Sequence, residues 1–364
     1  MNRRLRIAEV ASVFTQVPPA AYGGTERIIH ALTETLVERG HDVTLFAAAG
    51  SRTSARLCVT REETLFETWE REPWRLQFPH VSCVVEALRD SAQFDLIHFH
   101  MGPFSAPFAA IARVPTLHSL PSPIYPDDAW TLLRFPEARI TARTHRQVED
   151  LPEWRRHTID IVNNGCDFEF FPPPDGPGRY LVFLGRMAEE KNPLDAIRLA
   201  RRVDMPIILA GAPLEPRDDE YFDAQIRPLI DGRNVTWTGP IDDARRNELL
   251  HDAAALVFPI QWEEAFGIVM IEAMACGVPV LAYETASVPE VVDFGVSGFY
   301  ADSVEELAGF LPQALALDRM SIRGHARRRF SREVMTDAYL RVYESVIAGF
   351  ARPAAGGFSG AHDG

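Results

Sequence analysis

Short apolar segments alternate with helical segments along most of the chain, and a proline- and glycine-rich break divides this alternation into two halves. Parallel β-sheets covered by helices produce such a pattern, because their strands are buried on both faces. The break spans residues 170–178, where prolines exclude both a helix and a central strand. The sequence therefore predicts an α/β protein with two doubly wound, Rossmann-like domains that face each other across a cleft.

The order of these segments predicts the elements and the domain boundaries. In the first half we expect a helix over residues 25–39 and strands at 5–10, 42–47, 94–99, 114–117 and 158–162. In the second half we expect strands at 180–184, 207–210, 235–238, 256–260 and 278–282. The first domain is predicted over residues 1–171, joined by a C-terminal helix over 332–350, and the second over 172–331. Residues 354–364 are expected to be a disordered tail.

Charge and composition exclude several classes of protein. Asp and Glu total 51 against 37 Lys and Arg, so the 364-residue chain carries a net charge of −14. This acidic balance argues against nucleic-acid binding. No apolar run reaches the ~20 residues that span a bilayer, and Glu9 lies where a signal peptide needs its apolar core. We expect a cytoplasmic protein; contact with the inner membrane face and the oligomeric state stay open.

Two glutamates, Glu264 and Glu272, lie eight residues apart between a predicted strand and a helix that ends at Gly277. Residues eight apart on one helix would differ in direction by roughly 80°. The pair therefore fits better with Glu264 in the loop and Glu272 inside the helix. The free amides at the start of such a helix form a natural phosphate seat, and here they belong to Gly267, Ile268 and Val269.

Other short motifs occur along the chain in a fixed order. They are Gly23-Gly24-Thr25-Glu26, residues 39–43 (RGHDV), residues 94–100 (FDLIHFH), Asn163-Asn164-Gly165, residues 185–191 (GRMAEEK) and residues 275–280 (ACGVPV). With these motifs, residues 5–350 resemble the retaining glycosyltransferases of family 4, which have the GT-B architecture. The turn that contains Tyr22 is most similar to a bacterial subgroup, some members of which are labelled UDP-glucose:tetrahydrobiopterin glucosyltransferases.

The resemblance implies a donor site in the second half. Arg186 and Lys191 would neutralise the diphosphate, Glu272 would accept hydrogen bonds from the ribose, and Glu264 would hold the donor sugar. An arginine fork and a lysine point charge do suit a diphosphate. The alternatives are surface charge at a loop for the two cations and a solvated helix acid for Glu272. The complete donor set is Gly23, Gly24, Gly185, Arg186, Lys191, Phe266, Gly267, Ile268, Val269 and Glu272.

Candidates on the acceptor side come from the first half. Gly23 and Gly24 would let the backbone approach the donor, or would simply form a tight turn. Strand alternation sends His98 and His100 to the same side; the resemblance selects His100 as the contact to the donor sugar and leaves His98 as a packed histidine. The weaker acceptor-side candidates are His118 at the same cleft, Tyr22, and Thr25 as a helix N-cap.

The resemblance further implies transfer of a hexose, with retention, from a nucleotide-diphosphate sugar to a hydroxyl acceptor. A UDP-sugar is favoured as the donor and a GDP-sugar comes next. No residue is an obvious nucleophile, so the leaving phosphate oxygen would take the acceptor proton. The catalytic set would be His100, Arg186, Lys191 and Glu264, with no metal ion and no cofactor.

Two departures from the family pattern and several alternatives remain open. Ala286-Ser287 occupies a loop that usually carries paired glycines, and Asn192 replaces another glycine. The aromatic stretch over residues 65–78 could stack an acceptor, rest on a membrane or pack internally. A dinucleotide-dependent oxidoreductase is disfavoured because G-x-G-x-x-G is missing after the first strand. A nucleotide-sugar 2-epimerase and a non-catalytic nucleotide-sugar binder are the alternative functions.

Overall fold

The fold is seen in a computed structural model, which describes residues 3–20, 23–67 and 77–350. It contains two separate parallel β-sheets with helices packed against them, as the sequence predicts. Among the described residues, no helix has both the length and the apolar character needed to cross a bilayer.

The first sheet has seven parallel strands in the order β3-β2-β1-β4-β5-β6-β7. These strands are β1 (Arg6–Val10), β2 (Asp42–Ala48), β3 (Arg56–Arg61), β4 (Leu96–Phe99), β5 (Thr116–Ser119), β6 (Arg139–Ala142) and β7 (Ile159–Ile161). The second sheet has six parallel strands in the order β10-β9-β8-β11-β12-β13. Its members are β8 (Tyr180–Leu184), β9 (Ile207–Ala210), β10 (Val235–Trp237), β11 (Ala253–Phe258), β12 (Val280–Tyr283) and β13 (Gly298–Ala301). The predicted boundary at 171/172 falls between the two sheets.

Helices cover the two sheets. In the first half they are α1 (Gly24–Glu38), α2 (Gln77–Arg89), α3 (Pro126–Arg134) and α4 (Glu153–Arg156). In the second half they are α5 (Pro193–Arg202), α6 (Pro216–Tyr221), α7 (Asp243–Asp252), α8 (Ile268–Ala275), α9 (Val288–Val291), α10 (Val304–Leu315), α11 (Arg319–Phe330) and α12 (Arg332–Gly349).

Three strands were not predicted, namely β3, β6 and β13. Their sequences RLCVTR, RITA and GFYA mix polar or small residues with few apolar ones. β6 is paired with both β5 and β7 but has only four residues, whereas β3 and β13 are edge strands. An edge strand has one hydrogen-bonded neighbour fewer and more contact with water, so its apolar signal is weaker than that of a central strand.

The last helix, α12, returns to the first sheet. Its buried side chains Met335, Tyr339 and Tyr343 share a core with residues of β1, β4 and α1. Next to its start, the chain is hydrogen-bonded to the segment that leaves the first half: Cys166 N donates to Phe330 O, and Arg332 N donates to Cys166 O. The two crossings between the halves therefore run side by side.

The two departures from the family pattern adopt left-handed backbone. Asn192 has a φ of 56° and caps α5 by accepting a hydrogen bond from Asp195 N. Asparagine tolerates this conformation, which explains why it can replace a glycine. Ala286 has a φ of 49°. For a residue with a Cβ and no polar side chain, this conformation costs about 1 kcal/mol.

We therefore expect Ala286→Gly to raise the free energy of unfolding by up to about 1 kcal/mol, because it relieves left-handed strain. Ala316→Gly is the matched control, since Ala316 is exposed and has a φ of −86°. In that control variant the free energy of unfolding should fall by about 0.5–1 kcal/mol. Urea denaturation followed by circular dichroism measures both changes, and equal losses in the two variants would contradict strain at Ala286.

Candidate active site

Both sheets reverse their strand order at a central pair of strands, β1/β4 in the first and β8/β11 in the second. Ligands of open α/β sheets bind beyond the carboxyl ends of the strands at such a point. Most of the predicted site residues follow β1, β4, β8 or β11. The topology therefore gathers them at one cleft.

Helix α8 carries the two-glutamate motif as predicted. Glu264 lies in the loop after β11, and Glu272 is in the middle of α8. Gly267 is the N-cap residue, with a φ of 78°, and an added Cβ there would lie 2.7 Å from the Met270 side chain. Only glycine fits this position, and it lets the first amides of α8 point out of the helix start.

Glu272 is not a solvated helix acid. Only 5% of the residue is exposed, and its carboxylate lies 3.4 Å from the Arg246 guanidinium. Arg246 also pairs with Asp243, which in turn pairs with Arg27 from the first half. Burial raises the pKa of Glu272, and burial together with Arg246 lowers the pKa of Arg27. Two arginines and two acids thus form a compact cluster across the cleft.

Lys191 and Glu264 are brought together. The Lys191 Nζ lies 2.6 Å from a Glu264 carboxylate oxygen and 5.3 Å from the centre of the Trp262 ring. The indole Nε1 of Trp262 is buried and has no hydrogen-bond partner among the described residues. The predicted diphosphate and sugar contacts are therefore neighbours, with an aromatic ring beside them.

Arg186 has a more acidic environment than its sequence suggests. Its guanidinium contacts Glu190 and lies 3.3 Å from carboxylate oxygens of both Glu215 and Asp218. Three carboxylates therefore already share this cation. Gly185, directly before it, lies at the end of β8 and donates its N–H to Ala210 O.

The turn formed by Gly23 and Gly24 lies against the start of α8. Gly23 is the N-cap of α1, with a φ of 141°, and an added Cβ there would lie 2.8 Å from Pro19. A Cβ at Gly24 would lie 3.1 Å from the Ile268 side chain, so the turn faces the phosphate seat directly. The prediction that Thr25 is the N-cap was wrong, because the helix already begins at Gly24. Tyr22 lies outside the described residues.

Two residues that were predicted to contact a ligand have their side chains in the core and not in the cleft. Phe266 is 2% exposed and packs edge-on against Phe330, so only its backbone can belong to the site. His118 is fully buried, and its ring nitrogens are hydrogen-bonded to Ser105 and Thr116. Burial lowers the pKa of His118 to about 3. As placed, it cannot contact an acceptor.

His98 and His100 meet a third residue, Glu9 of β1. His100 Nε2 lies 2.6 Å from a Glu9 carboxylate oxygen, and His98 Nδ1 lies 3.3 Å from the same oxygen. His98 is packed, as predicted, while His100 is also only 1% exposed. Within the described part of the chain, these three residues are the one His/Cys/Asp/Glu group whose spacing could hold a metal ion.

A cavity of about 230 Å³ opens beside this cluster, at the ends of β4 and β5. It is lined by residues 101–104, residues 120–125 and Asp128. The Tyr125 ring at its edge lies 6.5 Å from the Trp262 ring of the second half. The edge of the cavity therefore lies near Trp262, the ring beside Lys191. From the aromatic stretch, Phe66 packs against Phe14 and Phe78 is exposed, while residues 68–76 lie outside the described part.

Sequence reasoning missed four residues of this site: Glu9, Arg27, Arg246 and Trp262. A charged residue inside an apolar strand was a usable signal for Glu9, because buried charges are rare without a partner. Trp262 also had a usable signal, because it is an aromatic residue directly before Glu263-Glu264. Arg27 and Arg246 lie on helices that carry several other charged residues, so nothing local distinguished them.

The geometry agrees with comparisons to known proteins. Residues 22–170 match the Glycosyltransferase Family 4 model, and residues 167–331 match the Glycosyl transferases group 1 model. A D-inositol 3-phosphate glycosyltransferase of Mycobacterium leprae is 32% identical over 222 residues, which cover 53% of this chain and 50% of the relative. A phosphatidyl-myo-inositol mannosyltransferase of Mycolicibacterium smegmatis is 26% identical over 94% of each chain. The match to the first curated relatives, such as the Mycobacterium leprae protein, spans about half of their length.

Solved structures share the whole fold. A glycosyltransferase involved in avilamycin A biosynthesis superposes with a TM-score of 0.74 at 23% identity, covering 95% of this chain and 99% of that one. Anabaena HepE, solved in complex with UDP-glucose, superposes with a TM-score of 0.70 at 17% identity, covering 94% and 100%. Two Rossmann-like domains in the GT-B arrangement, a Glycosyltransferase Family 4 domain followed by a Glycosyl transferases group 1 domain, therefore make up residues 22–331 of this chain.

Proposed function

We propose that the protein is a retaining glycosyltransferase that moves a hexose from a nucleotide-diphosphate sugar to a hydroxyl acceptor. The observation that carries this proposal is the start of α8, where Gly267 exposes backbone amides between Glu264 and Glu272. Amides at a helix start bind phosphate, and an acid on each side can accept hydrogen bonds from sugar hydroxyls. The seat therefore fits the middle of a nucleotide sugar.

Glu272 is proposed to hold the ribose. A buried carboxylate needs hydrogen-bond donors, and Arg246 at 3.4 Å is a long contact that leaves acceptor capacity. The two ribose hydroxyls can supply the missing donors. UDP is favoured over GDP as the nucleotide because the structural relative HepE was solved with UDP-glucose.

Lys191 and the α8 amides are proposed to stabilise the leaving diphosphate, with Glu264 on the sugar. Lys191 is already paired with Glu264, so a bound donor would insert next to an existing ion pair. Arg186 shares its charge with three carboxylates and would contribute less than its sequence position suggests. These groups compensate charge without a metal ion, and metal independence is part of the proposal.

The proposed transfer occurs on one face of the sugar. The bond from the anomeric carbon to the diphosphate oxygen breaks, the bond to the acceptor oxygen forms, and the leaving oxygen takes the acceptor proton. His100 would contact the sugar. The protein would supply position and charge stabilisation.

The acceptor is proposed to enter the 230 Å³ cavity at the ends of β4 and β5. Its lining contains three prolines and several apolar side chains, and Asp128 is the charged residue among them. A carboxylate in the lining repels a phosphate. The cavity therefore favours a neutral acceptor with an apolar ring face, and a tetrahydrobiopterin-type molecule is one candidate of that class.

For the donor, we expect UDP-sugars to raise the melting temperature and to release UDP, with turnover unchanged by a chelator. Glu272→Gln should weaken UDP binding about 10- to 100-fold, because it removes a charged hydrogen-bond acceptor worth about 1.5–3 kcal/mol. Glu264→Gln should reduce sugar transfer without weakening UDP binding, because it removes the carboxylate that shares the Lys191 charge. Isothermal titration with UDP and a UDP-release assay separate the two effects.

Three results would contradict parts of this scheme. An absence of any melting shift with UDP-, GDP-, ADP- and dTDP-sugars would refute the transferase. Loss of turnover on chelation would refute metal independence. Conversion of the donor to its 2-epimer without transfer would favour the epimerase.

For the acceptor, we expect Phe104→Ala to raise the acceptor KM about 5- to 30-fold and to leave the donor KM unchanged, since it removes about 1–2 kcal/mol of apolar contact. Ile111→Ala is the control, because Ile111 belongs to the same 3₁₀ segment but is 69% exposed outside the cavity. Transfer to phenyl glucoside, to its 6-phosphate and to tetrahydrobiopterin tests the charge preference. A faster reaction with the phosphorylated acceptor would refute this assignment of the cavity.

A further inference from the structure

A chain of buried hydrogen bonds connects His100 to the C-terminal helix α12. Glu9 accepts from Tyr343 OH at 2.8 Å through one carboxylate oxygen and contacts His100 Nε2 at 2.6 Å through the other. His98 Nδ1 lies 2.8 Å from the same Tyr343 oxygen, and His98 Nε2 lies 2.7 Å from Ser119 Oγ. All five residues are at most 1% exposed.

With both histidines neutral, one arrangement of protons satisfies this chain. Tyr343 donates to Glu9, so its oxygen must accept from His98 Nδ1–H, and His98 Nε2 then accepts from Ser119. Glu9 has no proton to give, so His100 must donate Nε2–H to it. A neutral His100 then has a bare lone pair on Nδ1. That nitrogen is buried and has no hydrogen-bond partner within the described residues.

The ionisation of the groups supports this assignment. Burial alone would raise the pKa of Glu9, but His98 and His100 outweigh burial and lower the pKa to about 2. Burial, with His98 next, lowers the pKa of His100 to about 4. Burial also raises the pKa of Tyr343 well above its ordinary range. At neutral pH, Glu9 is therefore charged, His100 is neutral, and Tyr343 keeps its proton.

We propose that Glu9 and Tyr343 are positioning residues that hold His100 in one tautomer, with Nδ1 as a hydrogen-bond acceptor for a hydroxyl of the donor sugar. This inference rests on the proposed function, which places His100 at the sugar. Leaving a buried acceptor unpaired is destabilising, and a hydrogen bond from a sugar hydroxyl would remove that cost. Nδ1 is buried in the absence of a ligand, so the proposal includes a local rearrangement around the His100 ring when the donor binds.

The same three residues are less suited to a metal ion. Ligand atoms bound to one zinc ion at ~2.0–2.1 Å in tetrahedral geometry lie roughly 3.3 Å apart. The separation of 2.6 Å between Glu9 and His100 is that of a charge-assisted hydrogen bond. His98 Nδ1, the second nitrogen near Glu9, is already committed to Tyr343.

The test uses the full chain labelled with ¹⁵N-histidine, with the His100 signals identified by their loss in His100→Gln. We expect wild-type His100 to show an unprotonated Nδ1 at pH 7, and that signal to shift with a UDP-sugar but not with UDP. In Glu9→Gln the amide can either accept from or donate to Nε2, so both tautomers should appear. Transfer activity (kcat/KM for the donor) should fall about 10- to 100-fold, as for other residues that orient a functional histidine, while UDP affinity stays within about threefold.

Tyr343→Phe should give a smaller change in the same direction. Tyr339→Phe is the matched control, because Tyr339 lies one turn earlier on the same helix and bonds to Ser119 and Arg143 instead of Glu9. The Tyr339→Phe variant should lose about as much stability as Tyr343→Phe does. It should keep the wild-type His100 tautomer and the wild-type kcat/KM for the donor. A single unchanged tautomer in Glu9→Gln would overturn the proposal, as would stoichiometric Zn²⁺ binding that shifts all three side chains. The tautomer signal is read without turnover, so a protein that failed to transfer sugar would refute the proposed function while the Glu9 assignment was still tested.

Discussion

The first sheet depends on a helix from the other end of the chain. A parallel sheet must be covered on both faces, and part of one face here is covered by α12. Met335, Tyr339 and Tyr343 of that helix pack against residues of β1 and β4. The first half therefore cannot complete its core until the second half has been made and α12 has returned. This dependence fixes where the two halves meet, and with it the cleft.

At the cleft, buried charge is balanced locally in small groups. Lys191 pairs with Glu264, Arg246 with Glu272, and Glu9 with two histidines. A buried charge without a partner is costly, so each group holds its side chains in place before any ligand arrives. Preorganised groups of this kind can stabilise charge without rearranging in the reaction. Arg186 shows the opposite case, because its three carboxylates use up charge that a diphosphate would need.

The sequence predicted the fold class and the position of α8 between its two glycines, for reasons visible in particular residues. Central strands such as β8 and β11 are continuous apolar runs, and Gly267 and Gly277 limit α8 at both ends. The site residues that stayed hidden act across long distances in the chain. Glu9 meets Tyr343 over a separation of 334 residues, and no local spacing encodes that contact. The prediction that His118 faces the cleft was wrong for a related reason. Strand alternation tells which side of the sheet a residue lies on, but not whether a helix or a cavity covers that side.

The contacts between the halves differ in kind at the two ends of the cleft. On the ligand side they are polar and partly exposed: Arg27 with Asp243, Arg146 with Glu263, and Glu290 with two backbone amides at 145–146. Arg146–Glu263 is the more exposed of these two ion pairs, and an exposed pair contributes about 0–1 kcal/mol.

On the other side, the two crossings are held together by buried contacts. The backbone bonds between Cys166 and residues 330 and 332 join them, and the buried Arg323 guanidinium binds the carbonyls of Phe168, Phe171 and Ala275. The crossings are therefore held by buried hydrogen bonds to backbone carbonyls. Because α12 begins beside these crossings and its Tyr343 is hydrogen-bonded to Glu9, the element that completes the first sheet also connects the crossings to the partner of His100.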